Sequence, residues 1–242
     1  MIEISDLHKS FNSKLVLDGV DLAINTGETM VIIGGSGCGK SVLLRHIIGL
    51  MQPDRGSIRI DGTELSGIGR QELFGLRKRL GMLFQGAALF DSLTVAENVG
   101  LGLREHSGYS SEQRADIVGK KLEMVGMGGT GSLMPGELSG GMKKRVGLAR
   151  AIAMDPEYML YDEPTTGLDP IMADKINDLI IDLRNKMSLT SVVVTHDMVS
   201  AAKIADRIAM LHQGRIIFCG TPEEIRSCPD ERVQRFVRGE AD

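Results

Sequence analysis

The 242-residue sequence lacks any apolar run approaching the ~18 residues that a bilayer-spanning helix needs, so the chain is not expected to cross a membrane by itself. The opening stretch MIEISDLHKSF carries acids and no long apolar core, and does not read as a secretory leader. Cysteine is scarce: Cys38, Cys219 and Cys228 form no CxxC pair. Disulfides are therefore not expected, and a reducing cytoplasm is the expected setting. With a net charge of −4 and no long basic stretch, a nucleic-acid partner is not expected. Heptads, internal repeats and low-complexity segments are missing too, which leaves an ordinary globular chain large enough to bury a core.

Within that chain, short strand-like runs alternate with helical patterns. Residues 2–7, 21–24 and 57–60 read as antiparallel strands near the N-terminus. Residues 29–33 (TMVII) are unbroken, apolar and followed by a glycine-rich turn, the pattern of a fully buried strand. Residues 80–84, 158–161, 191–195 and 208–211 look alike, and strands joined by helical crossovers imply an α/β sheet. Residues 88–154 differ: they are helix-rich, with capping-box spacings at Thr94-x-x-Glu97 and Ser110-x-x-Gln113. This segment is expected to be a helical subdomain inserted into a core made of residues 1–87 and 155–242. Asp169-Pro170 opens a further helix whose stripe of Ile176, Leu179, Ile180, Leu183 and Met187 is expected to face the core. Thr221-Pro222-x-Glu224 starts a short helix in the same manner.

Between the buried run 29–33 and a helical run at 42–50 lies Gly34-Gly35-Ser36-Gly37-Cys38-Gly39-Lys40-Ser41, a full match to GxxxxGK[ST] in the strand–helix context its chemistry needs. Glycines let successive N–H groups point at phosphate oxygens, and the helix N-terminus adds a favourable dipole. Lys40 is expected to reach the β- and γ-phosphates, and the Ser41 hydroxyl to hold Mg²⁺. Cys38 stands at that helix start beside Lys40, where a thiolate would be favoured; it equally serves as a small residue that tolerates the turn. Residues 158–161 lead into Asp162 and Glu163. At the carboxyl end of a strand, Asp162 is placed to hold Mg²⁺ through water, and Glu163 to orient or deprotonate an attacking water.

With Leu138-Ser139-Gly140-Gly141-Met142 lying between these motifs, the whole chain resembles the ATP-binding subunits of ABC transporters. The resemblance implies a P-loop NTPase (RecA-like) parallel sheet core, an N-terminal antiparallel β subdomain and an inserted helical subdomain, with ATP and Mg²⁺ as ligands. It also implies a head-to-tail homodimer in which Ser139, Gly140 and Gly141 face the partner's ATP. A hydroxyl and backbone N–H groups at a helix start do make a second anion cradle, and a two-fold pair would form two composite sites. Position by position, the resemblance assigns Phe11 to adenine stacking and Gln85 to Mg²⁺ or water and to sensing the transporter. It assigns His196 to the γ-phosphate, and Gly167-Leu168-Asp169 to the dimer interface. Met142 departs from the glutamine usual in the family, replacing an amide with a thioether. The cradle of backbone and Ser139 does not depend on it.

The run LSGGMKKRV, together with Leu83-Phe84-Gln85-Gly86-Ala87-Ala88-Leu89-Phe90, is similar to the ATPases of Mla-type phospholipid transporters. That narrower resemblance implies integral-membrane permease subunits and an MCE-type lipid-binding protein as partners. It puts the chain on the cytoplasmic face of the inner membrane, with the apolar stretch after Gln85 receiving the permease. The same motor could serve another cargo. A soluble ABC ATPase of repair or translation fits less well with one cassette and an acidic balance.

Overall fold

The computed structural model of the protein describes residues 1–12, 14–106 and 108–240, without the side chain of His106. The chain forms two compact units, Met1–Arg77 with Thr190–Asp242, and Lys78–Leu189. Among the described residues no helix is long and apolar enough to cross a membrane.

In the first unit β1 (Ile2–Phe11) pairs antiparallel with β2 (Lys14–Ile24) and β4 (Arg55–Ile60), and β5 (Thr63–Glu64) completes the order β2-β1-β4-β5. Alternation drives it: Ile2 and Ile4 are buried opposite Ile24, Leu22, Ile60 and Ile58, while Glu3 between them is exposed. The second strand begins seven residues before the expected 21–24. Register shifts along β1, and Gly19 at φ 73°, break the two-residue period through which that stretch would have been legible. A second sheet has the order β10-β9-β3-β8, with β3 (Thr29–Ile33) parallel to both β8 (Thr190–Thr195) and β9 (Arg207–His212). The antiparallel strand β10 (Arg215–Gly220) was not anticipated; its residues are mostly half-exposed and show no alternation of buried and exposed positions. Helix α1 (Lys40–Ile47) follows β3 and buries Leu43, Leu44 and Ile47. His46 on the same helix is a packing residue, 1% exposed, with Nδ1 2.8 Å from Val42 O, and burial lowers its pKa. Helices α7 (Met198–Ile204), α8 (Pro222–Arg226) and α9 (Glu231–Val237) complete this part of the chain; α8 starts at Pro222 as expected, and Thr221 and Glu224 form a capping box there. Helix α2 (Arg70–Lys78) also escaped the sequence pattern, since Leu76 is its one buried residue.

In the second unit β6 (Leu80–Leu83) and β7 (Tyr158–Asp162) pair in parallel, fully buried. Helices α3 (Val95–His106), α4 (Ser111–Met124) and α5 (Gly140–Ala151) fill the helix-rich stretch, and α6 (Pro170–Met187) follows β7. Both expected capping boxes form. Thr94 N donates to Glu97 Oε2 at 2.8 Å and Glu97 N to Thr94 Oγ1 at 3.2 Å; Ser110 and Gln113 do the same at the start of α4. Of the apolar stripe on α6, Ile176, Leu179, Ile180 and Leu183 are buried, each worth roughly 1.5–3 kcal/mol. Met187 is half-buried rather than core, because the helix ends there, with Ser188 in the left-handed conformation. Fully buried Asn98 accepts from Phe90 N at 2.8 Å and donates to the carbonyls of Phe90, Leu93 and Thr94, fixing the loop ahead of α3. The fold is therefore α/β with an N-terminal antiparallel sheet, as expected.

Candidate functional site

In the first unit the loop from Gly34 to Gly39 joins β3 to α1. Gly34 (φ 154°) cannot be replaced without collision, since a Cβ there would stand 2.2 Å from Leu211 O. Gly39 (φ 112°) caps α1 in the left-handed region, and its would-be Cβ meets Leu17 Cδ2 at 2.9 Å. The glycines thus let the loop turn tightly between a strand and its neighbours. Lys40 is 7% exposed and its Nζ donates to Gly34 O at 2.7 Å and Gly35 O at 3.0 Å, so the ammonium lies over the loop itself. An anion seated there would meet a lysine already in place, a helix start and successive N–H groups.

A cavity of about 530 Å³ opens beside the loop, with Ser36, Gly37 and Cys38 on its wall. Its basic lining residues are Lys14, His212, Arg232 and Arg235, and no carboxylate is among the lining residues. In a chain of net charge −4 this is a local basic surface suited to a polyanion. Phe11 ends β1 and is 40% exposed, with Lys9 Nζ 5.6 Å from its ring centroid; it is no core aromatic and has a face to offer. His196 follows β8 and is exposed. The turn after it is set by Thr195 Oγ1, which accepts from Asp197 N at 3.0 Å, and by Asp197, which caps α7.

In the second unit β7 delivers Asp162 and Glu163, 7% and 8% exposed. Glu163 has φ 50°, a left-handed conformation uncommon outside glycine, asparagine and aspartate. Thr166 Oγ1 donates to Glu163 Oε2 at 2.9 Å, which fixes the carboxylate's direction. Lys144, on α5, was given no role from the sequence, yet its buried Nζ donates to Glu163 O at 3.0 Å and also to Gln85 O. Burial pushes the Lys144 ammonium's pKa down, and the Glu163 and Asp162 carboxylates oppose that. Its sequence signal was one lysine of the basic run Lys143-Lys144-Arg145 in a helical stretch, which alone reads as surface. The side chain of Gln85 follows β6 and is exposed.

Ser139 caps α5 by accepting from Met142 N at 3.3 Å; Ser139 and Gly140 face outward. Gly141 is buried, and a Cβ there would lie 2.5 Å from Met172 Cε. Asp169 caps α6 through Ile171 N and Met172 N, both at 3.0 Å, so this carboxylate is held as a helix cap beside Gly167 (φ 82°). Among the described residues no cluster of three His, Cys, Asp or Glu is ready to hold a metal. A hydroxyl such as Ser41 and a carboxylate such as Asp162 nevertheless fit Mg²⁺, a hard cation that takes one or two protein oxygens and fills its shell with phosphate and water.

Residues 17–166 match the family model described as ABC transporter. The chain is 40% identical over 242 residues to the intermembrane phospholipid transport system ATP-binding protein MlaF of Haemophilus influenzae, covering 100% of this chain and 92% of that one. It is 41% identical over 238 residues to the probable ribonucleotide transport ATP-binding protein mkl of Mycobacterium leprae, covering 98% of this chain and 69% of that one. Among solved structures, a dimeric ATP-binding cassette in a post-hydrolysis state with ADP and Pi superposes with a TM-score of 0.85 and 33% identity, over 92% of this chain and 99% of that one.

Proposed function

The chain belongs to the ATP-binding subunits of ABC transporters, and from that premise we propose that it powers phospholipid transport across the cell envelope through a membrane permease. It is an ATPase, and ATP is its ligand. The observation that carries the lipid reading is the end-to-end similarity to an intermembrane phospholipid transport subunit, at 40% identity over the full chain.

In this reading Phe11 stacks on adenine while the N–H groups of Gly34, Gly35, Ser36, Gly37, Cys38 and Gly39 cradle the phosphates. Lys40 exchanges the Gly34 and Gly35 carbonyls for β- and γ-phosphate oxygens. Ser41, Asp162 and Gln85 would hold Mg²⁺, which would supply charge neutralisation at the phosphates. Glu163, aimed by Thr166, takes the proton from the attacking water. His196 donates to the γ-phosphate. Ser139, Gly140 and Gly141 of a second, head-to-tail copy close the site, so hydrolysis needs two chains. The apolar loop after Gln85 receives the permease, and the helices of residues 88–154 act as the inserted subdomain. An MCE-type lipid-binding protein completes the assembly, and the permease holds this chain on the cytoplasmic face of the inner membrane.

Mass spectrometry of the complex purified from detergent-solubilised membranes tests the cargo. Phospholipid together with a polytopic permease is expected. A second reading, ribonucleotide transport, is favoured by the name of the mycobacterial relative; ribonucleotide retained in place of lipid would replace the first reading with this one.

A further inference from the structure

Three residues on one face of α5 meet the loop after β6. Lys144, Gly147 and Arg150 follow one another at three-residue steps, the spacing that keeps side chains on a common helix face. Lys144 Nζ donates to Gln85 O. A Cβ at Gly147 would stand 2.8 Å from Leu83 Cδ1 and 3.2 Å from Ala87 Cβ, so the helix lies directly on the loop. Arg150 Nη2 donates to Ala87 O and Nη1 to Ala88 O, each at 2.6 Å. Ala87 (φ 60°) and Ala88 (φ 47°) are both left-handed. Successive alanines persist in that region only where neighbours over-determine them, and here two cations grip the carbonyls of Gln85, Ala87 and Ala88. Lys144 is the member of this face that reaches further: the same ammonium also donates to Glu163 O at 3.0 Å. A lysine that is 5% exposed loses hydration, and the two carbonyls replace it.

We propose that Lys144 is a positioning residue for hydrolysis: by donating to Gln85 O and Glu163 O together, it makes the Gln85 loop, the general base and helix α5 move as one body. The inference rests on the ATPase reading of Gln85 and Glu163. It adds a physical link between them, on the helix whose first residues, Ser139 to Gly141, are proposed to meet the partner's nucleotide. Closure of the dimer would then reach the permease loop and the base through one rigid element.

The test compares Lys144→Met, which keeps the apolar stem and removes both bonds, with Arg150→Lys, which keeps charge and loses the paired grip. The full chain is used, with ATP affinity, kcat and hydrogen exchange at the Ala87 amide as readouts. Lys144→Met should lower kcat about 10- to 100-fold through misplacement of the base, with ATP affinity changed less than about twofold, and should speed exchange at Ala87. Arg150→Lys should speed that exchange equally but lower kcat less than about threefold, because Arg150 does not touch Glu163. Wild-type kcat in Lys144→Met, or equal slowing in both variants, overturns the proposal. Glu163→Gln is the control: if it keeps full turnover, the reading of the base has failed, whereas an inactive control beside a fully active Lys144→Met sinks only the link. Should Lys144→Met not fold, exchange in the unmutated chain decides. The Ala87 amide and the α5 amides should open with the same protection, and an Ala87 amide about 100-fold less protected contradicts a shared body.

Discussion

The phosphate loop of the first unit and the acidic strand end of the second handle charge in different ways. In the loop the backbone is the working part: N–H groups and three glycines with positive φ, with a lysine as the first residue of α1. At the strand end the side chains work, and Glu163 is held both by a near neighbour in the chain and by a residue on another element. Glu163 is aimed by Thr166 and anchored through Lys144, which also holds the loop at Gln85, 59 residues before it. A site made of backbone tolerates few residue types and so writes its pattern into the sequence. A site made of side-chain contacts leaves much of its support unwritten.

The comparison breaks most severely at Ser139. Ser139→Arg should abolish ATPase activity while leaving nucleotide binding by the single chain near normal, since the phosphate loop is untouched and only the partner's phosphate space is filled. Mixing that variant with Lys40→Ala should leave at most one sound composite site per pair; a monomer with full turnover would refute the shared site. Lys40→Ala acts on the other side of the comparison. Losing charge-assisted contacts to phosphate should weaken ATP binding by about 10- to 100-fold, read by equilibrium titration, and unchanged affinity would remove Lys40 from the phosphates.

The smallest effect sharpens the comparison at Cys38. A cysteine at the start of α1 beside Lys40 should react with maleimide faster than Cys219, whose thiol pKa is raised by burial. Mg-ATP should protect Cys38, and Cys38→Ala should remain active because the loop binds through its backbone. Equal labelling of the cysteines, or no protection, contradicts the first part.

These contrasts explain what was legible. The placement of Lys40 and Ser41 after β3 and of Asp162 and Glu163 at the end of β7 could be read because their motifs follow unbroken apolar runs, and β3 and β7 proved to be buried along their whole length. The capping boxes at Thr94 and Ser110 could be read because the two bonds of each span three residues. Strand β10 and helices α2 and α9 were missed, since half-exposed edges carry little periodicity. Lys144 and Arg150 were passed over for a different reason. A cation in a helical stretch reads as solvated, and only the fold shows that these two turn inward onto carbonyls. Met187 erred the other way, apolar and in phase but placed where the helix ends.

The central claim, that an acid at the end of β7 performs hydrolysis on a nucleotide held by the glycine loop, is tested most directly by Glu163→Gln. ATP affinity should stay within about threefold of wild type while turnover falls by about 10²–10⁴, the usual worth of a positioned acid–base group. Sizing the variant with Mg-ATP should show a dimer that retains unhydrolysed ATP. Near-normal turnover, or no nucleotide-dependent dimer, would contradict the account.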